Sequence, residues 1–201
     1  MGDFGRLLAL LALGGAALTG LGAFCVWFLD EGRRVRASLK KVLRAKPSAQ
    51  LVAKGRGAGA AIDLAAGTVG VCWDAGGWCL SYRLDELMGA ELIVDGVVAA
   101  RVHRGEARRP LDRIVGAEEL VRLRLLFDDA SYPDFELDLW TPDDDGRRDR
   151  LNPDAAVQEA NRWLARVDSI FRRPAPRTAP AVAAPALDPL GDADDAEEAY
   201  T

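Results

Sequence analysis

The longest apolar run of the chain covers residues 7–29 and contains no charged side chain. A helix of that length rises about 35 Å, which is enough to cross a hydrocarbon core of ~30 Å with some tilt. A cleaved secretory signal is the alternative, but its apolar core is usually only about 7–15 residues long. Because this run continues well past the small residues Gly20-Leu21-Gly22, the pattern favours an uncleaved transmembrane helix.

Basic residues are concentrated directly after this run, and Arg6 is the single Lys or Arg before it. The flank richer in Lys and Arg normally stays in the cytoplasm. The pattern therefore predicts a single-pass protein of the bacterial inner membrane, with a short external N-terminus and a cytoplasmic chain from Asp30 onward. The basic residues that set this orientation are Arg33, Arg34, Arg36, Lys40, Lys41, Arg44 and Lys46.

The basic segment is also amphipathic, because Val35, Leu39, Val42 and Leu43 recur at helical spacing. One interpretation is a helix on an anionic leaflet, where each cation contributes about 1 kcal/mol. The other is an orientation signal and stalk, which is sufficient to explain the charges. Under the first interpretation the residues that contact the membrane surface are Arg33, Arg34, Arg36, Lys40, Lys41 and Arg44.

Small residues recur every fourth position inside the apolar run, at Ala12, Ala16 and Gly20. This spacing lets two helix backbones approach closely, so it predicts a face for transmembrane homodimerisation. A plain anchor rich in Ala, Leu and Gly produces the same spacing without a partner.

Period-two alternation dominates the middle of the chain and predicts antiparallel strands with one face on a core. The Asp95-Gly96 dipeptide suits a two-residue hairpin, whereas the Gly/Ala-rich residues 54–61 suggest a loop. In the last hairpin, a register centred near Ser131 would pair Arg124 with Asp138 and Leu126 with Glu136. The alternating segments are residues 78–82, 98–102, 121–127 and 135–139.

One amphipathic helix follows the strands. Asn152 is a suitable N-cap, Pro153 fits the first helical position and Asp154 suits the positive end of the dipole. The apolar stripe requires a sheet to cover it. Its members are Val157, Ala160, Leu164, Val167 and Phe171, flanked by Trp163 and Ile170.

Composition divides the 201-residue chain into four parts. They are a tail and transmembrane helix over 1–29, a basic helix and linker over 30–60, a β-domain with its helix over 61–172, and a tail over 173–201. The last part is rich in Pro and Ala and then acidic, which predicts disorder. The net charge of −5 arises partly from this tail.

The segments Tyr82-Arg83-Leu84-Asp85-Glu86-Leu87 and Glu91-Leu92-Ile93-Val94-Asp95-Gly96, followed by one C-terminal helix, resemble bacterial pleckstrin-homology-like (PH-like) domains. Phe127-Asp128-Asp129 and Pro133-Asp134-Phe135-Glu136-Leu137 are similar to the same pattern. The resemblance covers residues 61–172 and implies an α+β fold, a bent antiparallel sheet or barrel of about seven strands closed by the helix. It implies binding rather than catalysis, although a fold alone says little about function.

Candidate catalytic and metal-binding residues are few. His103 is the single histidine and alternates with core positions, so it is expected to be exposed and without partners for a triad or metal site. Asp143-Asp144-Asp145 is interpreted as a solvated loop, with a weak calcium contact as the alternative. Cys72 and Cys79 are expected to face each other across a hairpin, as are Trp73 and Trp78. A disulfide between the two cysteines is geometrically conceivable, but both are expected to be reduced if the domain is cytoplasmic.

These observations predict a membrane-anchored cytoplasmic binding or adaptor module, with no catalytic residues and no cofactor. Its partners would be the lipid bilayer, anionic lipid headgroups and an unidentified protein, but not nucleic acid, because the basic residues cluster beside the membrane. The alternatives are a structural membrane dimer and a hydrolase with an atypical site.

Overall fold

The computed structural model describes residues 2–28, 30–111 and 116–173, and its class is α+β. The predicted disordered tail lies outside the described residues from residue 174 onward. The helices are α1 (Gly2–Phe28), α2 (Glu31–Leu43) and α3 (Pro153–Phe171). The strands are β1 (Ala49–Ala53), β2 (Ala58–Asp63), β3 (Thr68–Trp73), β4 (Trp78–Arg83), β5 (Leu87–Val94), β6 (Val97–His103), β7 (Val121–Phe127) and β8 (Asp134–Trp140).

The N-terminal helix α1 is long and apolar enough to cross a membrane. Its segment Phe4–Gly22 has a mean hydropathy of 1.7, and none of that segment is buried against the rest of the described chain. A signal sequence near an N-terminus has the same length and composition. The structure therefore confirms that the chain begins with a long apolar helix, as the sequence predicts.

The strands form two antiparallel sheets of four, ordered β1-β2-β3-β4 and β6-β5-β7-β8. One core cluster contains inner-face residues of both sheets together with the buried face of α3. Neither sheet closes on itself among the described strands. The single bent sheet or barrel implied by the PH-like resemblance is therefore not confirmed.

The C-terminal helix α3 begins and packs as predicted. The Asn152 side chain accepts a hydrogen bond from the Ala155 N–H at 2.8 Å, and Pro153 occupies the first helical position. Trp163 is wholly buried with the apolar stripe, and the helix contacts all four strands of the second sheet. Phe171 is only partly buried, and the Arg104 guanidinium lies over its ring at 4.5 Å.

Helix α2 packs on the outer face of the first sheet and belongs to the folded domain. Its stripe of Val35, Leu39 and Leu43 is buried there with Ala61 and Cys72. Helix α2 can lie close to the sheet at this point because two residues of the sheet are glycines, which have no side chain. A Cβ on Gly59 would lie 2.8 Å from Val35 Cγ1, and one on Gly70 would lie 3.3 Å from Leu43.

The prediction of a loop over residues 54–61 is wrong from Ala58 onward, because β2 begins there. Every residue of β2 is buried, because α2 covers one face of the sheet and the core covers the other. A strand buried on both faces has no polar alternation and reads as a continuous small or apolar run. The segment 30–60 thus supplies α2, β1 and the start of β2.

The register of the β7–β8 hairpin differs from the predicted one by two residues. Arg124 faces Glu136 and Leu126 faces Asp134, so the hairpin is centred one position earlier than Ser131. The Phe127 N–H donates to the Pro133 carbonyl at 2.8 Å, which closes the connection there. Because a two-residue shift leaves every side chain on its face, alternation alone does not distinguish the two registers.

The predicted Asp95-Gly96 hairpin is confirmed, with Val94 facing Val97 and φ values of 48° at Asp95 and 80° at Gly96. The Asp95 carboxylate also accepts hydrogen bonds from the N–H groups of residues 118–120, at 2.8–3.0 Å. These N–H groups stabilise the charged carboxylate and lower the pKa of Asp95 below its usual value.

An Asp95→Asn variant is expected to lose part of the acid sensitivity of the domain. A carboxyl whose pKa is lower in the folded state stabilises the fold above its unfolded pKa, and this stabilisation disappears as the pH falls through the folded pKa. Urea unfolding at neutral pH and near pH 3 measures the effect. We expect the wild type to lose more stability than Asp95→Asn on acidification, and equal losses would contradict this role.

Candidate functional site

The six basic residues predicted at the membrane surface lie on the exposed side of α2 and at its C-cap. The apolar stripe that was expected to be available to a leaflet is buried against the sheet instead. An α2 that remains packed can therefore approach a membrane only through its charges. The exposed cations are Arg33, Arg34, Arg36, Lys40, Lys41 and Arg44.

The predicted dimer face of Ala12, Ala16 and Gly20 lies exposed along one side of α1. The hydroxyl of Thr19 donates to the Gly15 carbonyl at 2.8 Å, so this polar group is satisfied within the helix. Close approach of a second helix would not meet a large side chain at these three positions. Dimerisation through this face stays a prediction.

A polar cavity of about 380 Å³ lies between the N-terminus of α2, the β1–β2 turn and the segment before α3. Its lining includes three carboxylates and three cations, an arrangement suited to a charged ligand. The charged lining residues are Asp30, Glu31, Asp149, Arg36, Lys54 and Arg150.

An ion pair between the partly buried Arg56 and the buried Asp144 forms the framework behind this cavity. Arg56 in the β1–β2 turn donates through Nη2 to Asp144 Oδ2 at 2.7 Å and to Thr141 Oγ1 at 2.6 Å. Asp144 is only 4% exposed, and its carboxylate also accepts the Thr141 N–H at 3.1 Å. The pair fixes the turn against the segment that leads to α3.

Arg150 lies between this ion pair and the cavity. Its Nε is 3.8 Å from Asp144 Oδ1 and 3.9 Å from Asp149 Oδ2, both beyond hydrogen-bond distance. The side chain is 13% exposed, and its Nε and Nη1 have no hydrogen-bond partner among the described residues. Leaving the donors of a mostly buried guanidinium unmet is unfavourable, so a further acceptor at this side of the cavity would be stabilising.

Sequence reasoning missed the residues of this cavity apart from Arg36. Asp143 and Asp145 are exposed as expected, but the interpretation of Asp144 as a solvated carboxylate is wrong. The available signal was the spacing of Thr141 and Asp144, which is that of a capping box. Lys54, Arg56 and Arg150 carry no comparable local signal, since only the fold brings them together.

The facing of Cys72 with Cys79, and of Trp73 with Trp78, is confirmed. The structure joins the two cysteines in a disulfide, whereas reduced thiols were expected for a cytoplasmic domain. The pair can meet because its residues lie directly opposite on β3 and β4, with Cα atoms 4.1 Å apart. Cys72 is wholly buried beneath α2.

An aromatic surface lies at the tip of the β3–β4 hairpin. Trp78, the first residue of the predicted alternation over residues 78–82, is 64% exposed because it begins β4 at the outer edge of the first sheet. On the neighbouring strand, the ring of Trp73 lies 6.1 Å from that of Tyr132 and 6.2 Å from that of Phe135. No described strand pairs with the outer side of β4.

His103 is half-buried rather than exposed, with Nδ1 3.3 Å from the Arg104 carbonyl oxygen. Within residues 2–28, 30–111 and 116–173, no group of three or more His, Cys, Asp or Glu side chains is placed to hold a metal ion.

Comparisons provide no relative from which a function could be transferred. No protein-family model, curated protein or solved structure matches this chain.

Proposed function

We propose that this chain is a single-pass, membrane-anchored binding module whose domain lies on the cytoplasmic face of a bacterial inner membrane and acts like a PH-like adaptor. The observation that carries the proposal is the unburied apolar helix α1, which is followed by the folded domain from Asp30 onward. An apolar helix of this length is stable when lipid surrounds it. The excess of Lys and Arg after α1 supports the cytoplasmic side.

Two surfaces support binding as the task of the domain. The cations of α2 form an exposed basic face that suits anionic lipid headgroups. The free edge of β4, beside Trp78, suits an extended protein segment that adds to the sheet as a further strand. A membrane dimer joined through Ala12, Ala16 and Gly20 is the second candidate, supported by the exposure of these small residues.

Alkaline carbonate extraction of membranes tests the anchor. We expect the full chain to remain in the membrane pellet, and a Leu13→Arg/Leu18→Arg variant to shift toward the soluble fraction. Each arginine at the centre of a span costs about 2.5–3.5 kcal/mol of insertion free energy. A Leu→Ala pair at the same positions is the matched control. A wild-type protein that washes off, or a mature chain that begins near Ala23, would contradict the anchor.

The side of the membrane is tested separately by the state of Cys72 and Cys79. Thiols are kept reduced in the cytoplasm, so a cytoplasmic domain requires the disulfide seen in the structure to be open in cells, and we expect both cysteines to be alkylated after rapid acid quenching. A Cys72→Ser/Cys79→Ser variant is the control for background labelling at Cys25. A disulfide that persists in cells, together with cleavage of the domain by protease added to spheroplasts, would place it on the opposite side.

A further inference from the structure

We propose that the polar cavity binds the headgroup of a phosphatidylethanolamine-type phospholipid, which carries a phosphate and a primary ammonium. The phosphate would lie against Arg36, Lys54 and Arg150, and the ammonium against Glu31 and Asp149. The inference rests on the proposed membrane anchoring and names a ligand class for a cavity that shares Arg36 with the exposed face of α2.

The charges of the cavity match a zwitterion. Three cations and three carboxylates line it, so a ligand with one charge of each sign leaves the site balanced. Asp30 is already engaged, since it caps α2 through Gly32 N–H and pairs with Arg33 at 3.2 Å. Arg36, Lys54 and Glu31 form no ion pair within the described part of the chain, which leaves charges of both signs for a ligand.

Arg150 gives the strongest reason for a phosphate. Its Nε and Nη1 are buried without hydrogen-bond acceptors, and the nearby carboxylates lie at 3.8–3.9 Å. Buried donors without acceptors are unfavourable, and phosphate oxygens are strong acceptors for a guanidinium. After a small rotation of the Arg150 side chain, a phosphate on this side of the cavity would accept hydrogen bonds from these donors.

The β1–β2 turn is shaped to hold Arg150 in place. Gly55 and Gly57 have φ values of 70° and 61°, which side chains rarely adopt. A Cβ on Gly55 would collide with the Arg150 guanidinium, so the glycine allows that group to lie against the turn. The Arg56–Asp144 pair fixes the same turn from behind. The backbone of the turn is therefore fixed before the ligand binds, and the Arg150 side chain is the part that rotates toward the phosphate.

The location of the cavity fits a lipid source. Asp30 lines the cavity and lies two residues after the end of α1, a separation of at most about 7 Å. The headgroup region of each leaflet is about 5–7 Å thick, so the cavity lies at headgroup depth when the C-terminal end of α1 is at the boundary of the hydrocarbon core. Its volume of about 380 Å³ falls within the range of small-ligand sites.

Native mass spectrometry of the delipidated full chain in non-ionic detergent tests the proposal, with dioleoyl phosphatidylethanolamine, phosphatidylglycerol and phosphatidylcholine as probes. We expect wild type to retain phosphatidylethanolamine preferentially. An Arg36→Gln/Lys54→Gln variant should bind it at least about tenfold more weakly, since the loss of even one charge-assisted contact has that effect and the variant removes two cations. The matched control is Arg162→Gln/Arg166→Gln, which removes two exposed cations from α3, outside both the cavity and the basic face of α2, and should leave binding unchanged.

Glu31→Gln tests the ammonium half of the site, since it should reduce the preference for phosphatidylethanolamine over phosphatidylcholine. Competition by soluble glycerophosphoethanolamine would assign recognition to the headgroup. Competition by inorganic phosphate alone, with no lipid preference, would indicate a free-phosphate site and overturn the lipid assignment. Equal losses in both double variants, or no retained lipid, would also overturn it.

These outcomes are separate from the test of the anchor. An integral protein without headgroup preference contradicts only this inference, whereas a carbonate-soluble protein that binds glycerophosphoethanolamine contradicts only the anchor.

Discussion

Replacing Leu39 by alanine is expected to lower the free energy of unfolding of the domain by about 2–5 kcal/mol, the usual cost of truncating a buried leucine. Leu39 is wholly buried between α2 and the first sheet, close to Gly59 and Gly70. The sheet presents backbone at these glycines and cannot collapse into the space that the leucine leaves. Urea unfolding of the full chain in non-ionic detergent, followed by tryptophan fluorescence, measures the change.

Lys40→Ala is the matched control, because Lys40 is exposed on the same helix and forms no ion pair among the described residues. We expect its stability to stay within about 0.5 kcal/mol of wild type. If Leu39→Ala instead left stability unchanged and weakened binding to anionic vesicles, the apolar stripe of α2 would belong to a leaflet rather than to the domain.

The second large effect is expected from Arg56→Met, which removes the close cation from a buried carboxylate. Asp144 would keep only Arg150, whose Nε is 3.8 Å away, as its neighbouring cation. Breaking one side of a buried pair usually costs about 3–5 kcal/mol, and the remaining arginine places our expectation near the lower value. Urea unfolding of the full chain in non-ionic detergent, followed by tryptophan fluorescence, also measures this change.

A double variant, Arg56→Met/Asp144→Asn, separates the pair from simple loss of packing. Neutralising Asp144 removes the uncompensated charge, so the double variant should be more stable than Arg56→Met alone. Arg83→Met is a second control, since the Arg83–Asp85 pair is largely exposed and such pairs contribute little. A stability of Arg56→Met equal to wild type would show that Asp144 is satisfied without Arg56.

The predictions that the structure confirms are local ones. The length and composition of the first helix, the Asn152-Pro153 start of α3 and the Asp95-Gly96 turn each depend on residues within a few positions of one another. The polar outward face of the β7–β8 hairpin is correct for the same reason, although its register was not. The finer PH-like architecture stays a proposal, because the described strands form two open sheets.

The sequence by itself determined the apolar N-terminal helix, the α+β class, the strand alternation and the cap of α3, since periodicity and capping are properties of short segments. Only the tertiary structure decided that α2 packs on the sheet, that β2 is a strand and that Asp144 is buried. Only the tertiary structure also brings Arg36, Lys54 and Arg150 together around one cavity. These outcomes depend on which apolar surfaces and charges meet between segments far apart in the chain, 85 and 88 positions in the contacts of Arg56 with Thr141 and Asp144, and no local pattern encodes that choice.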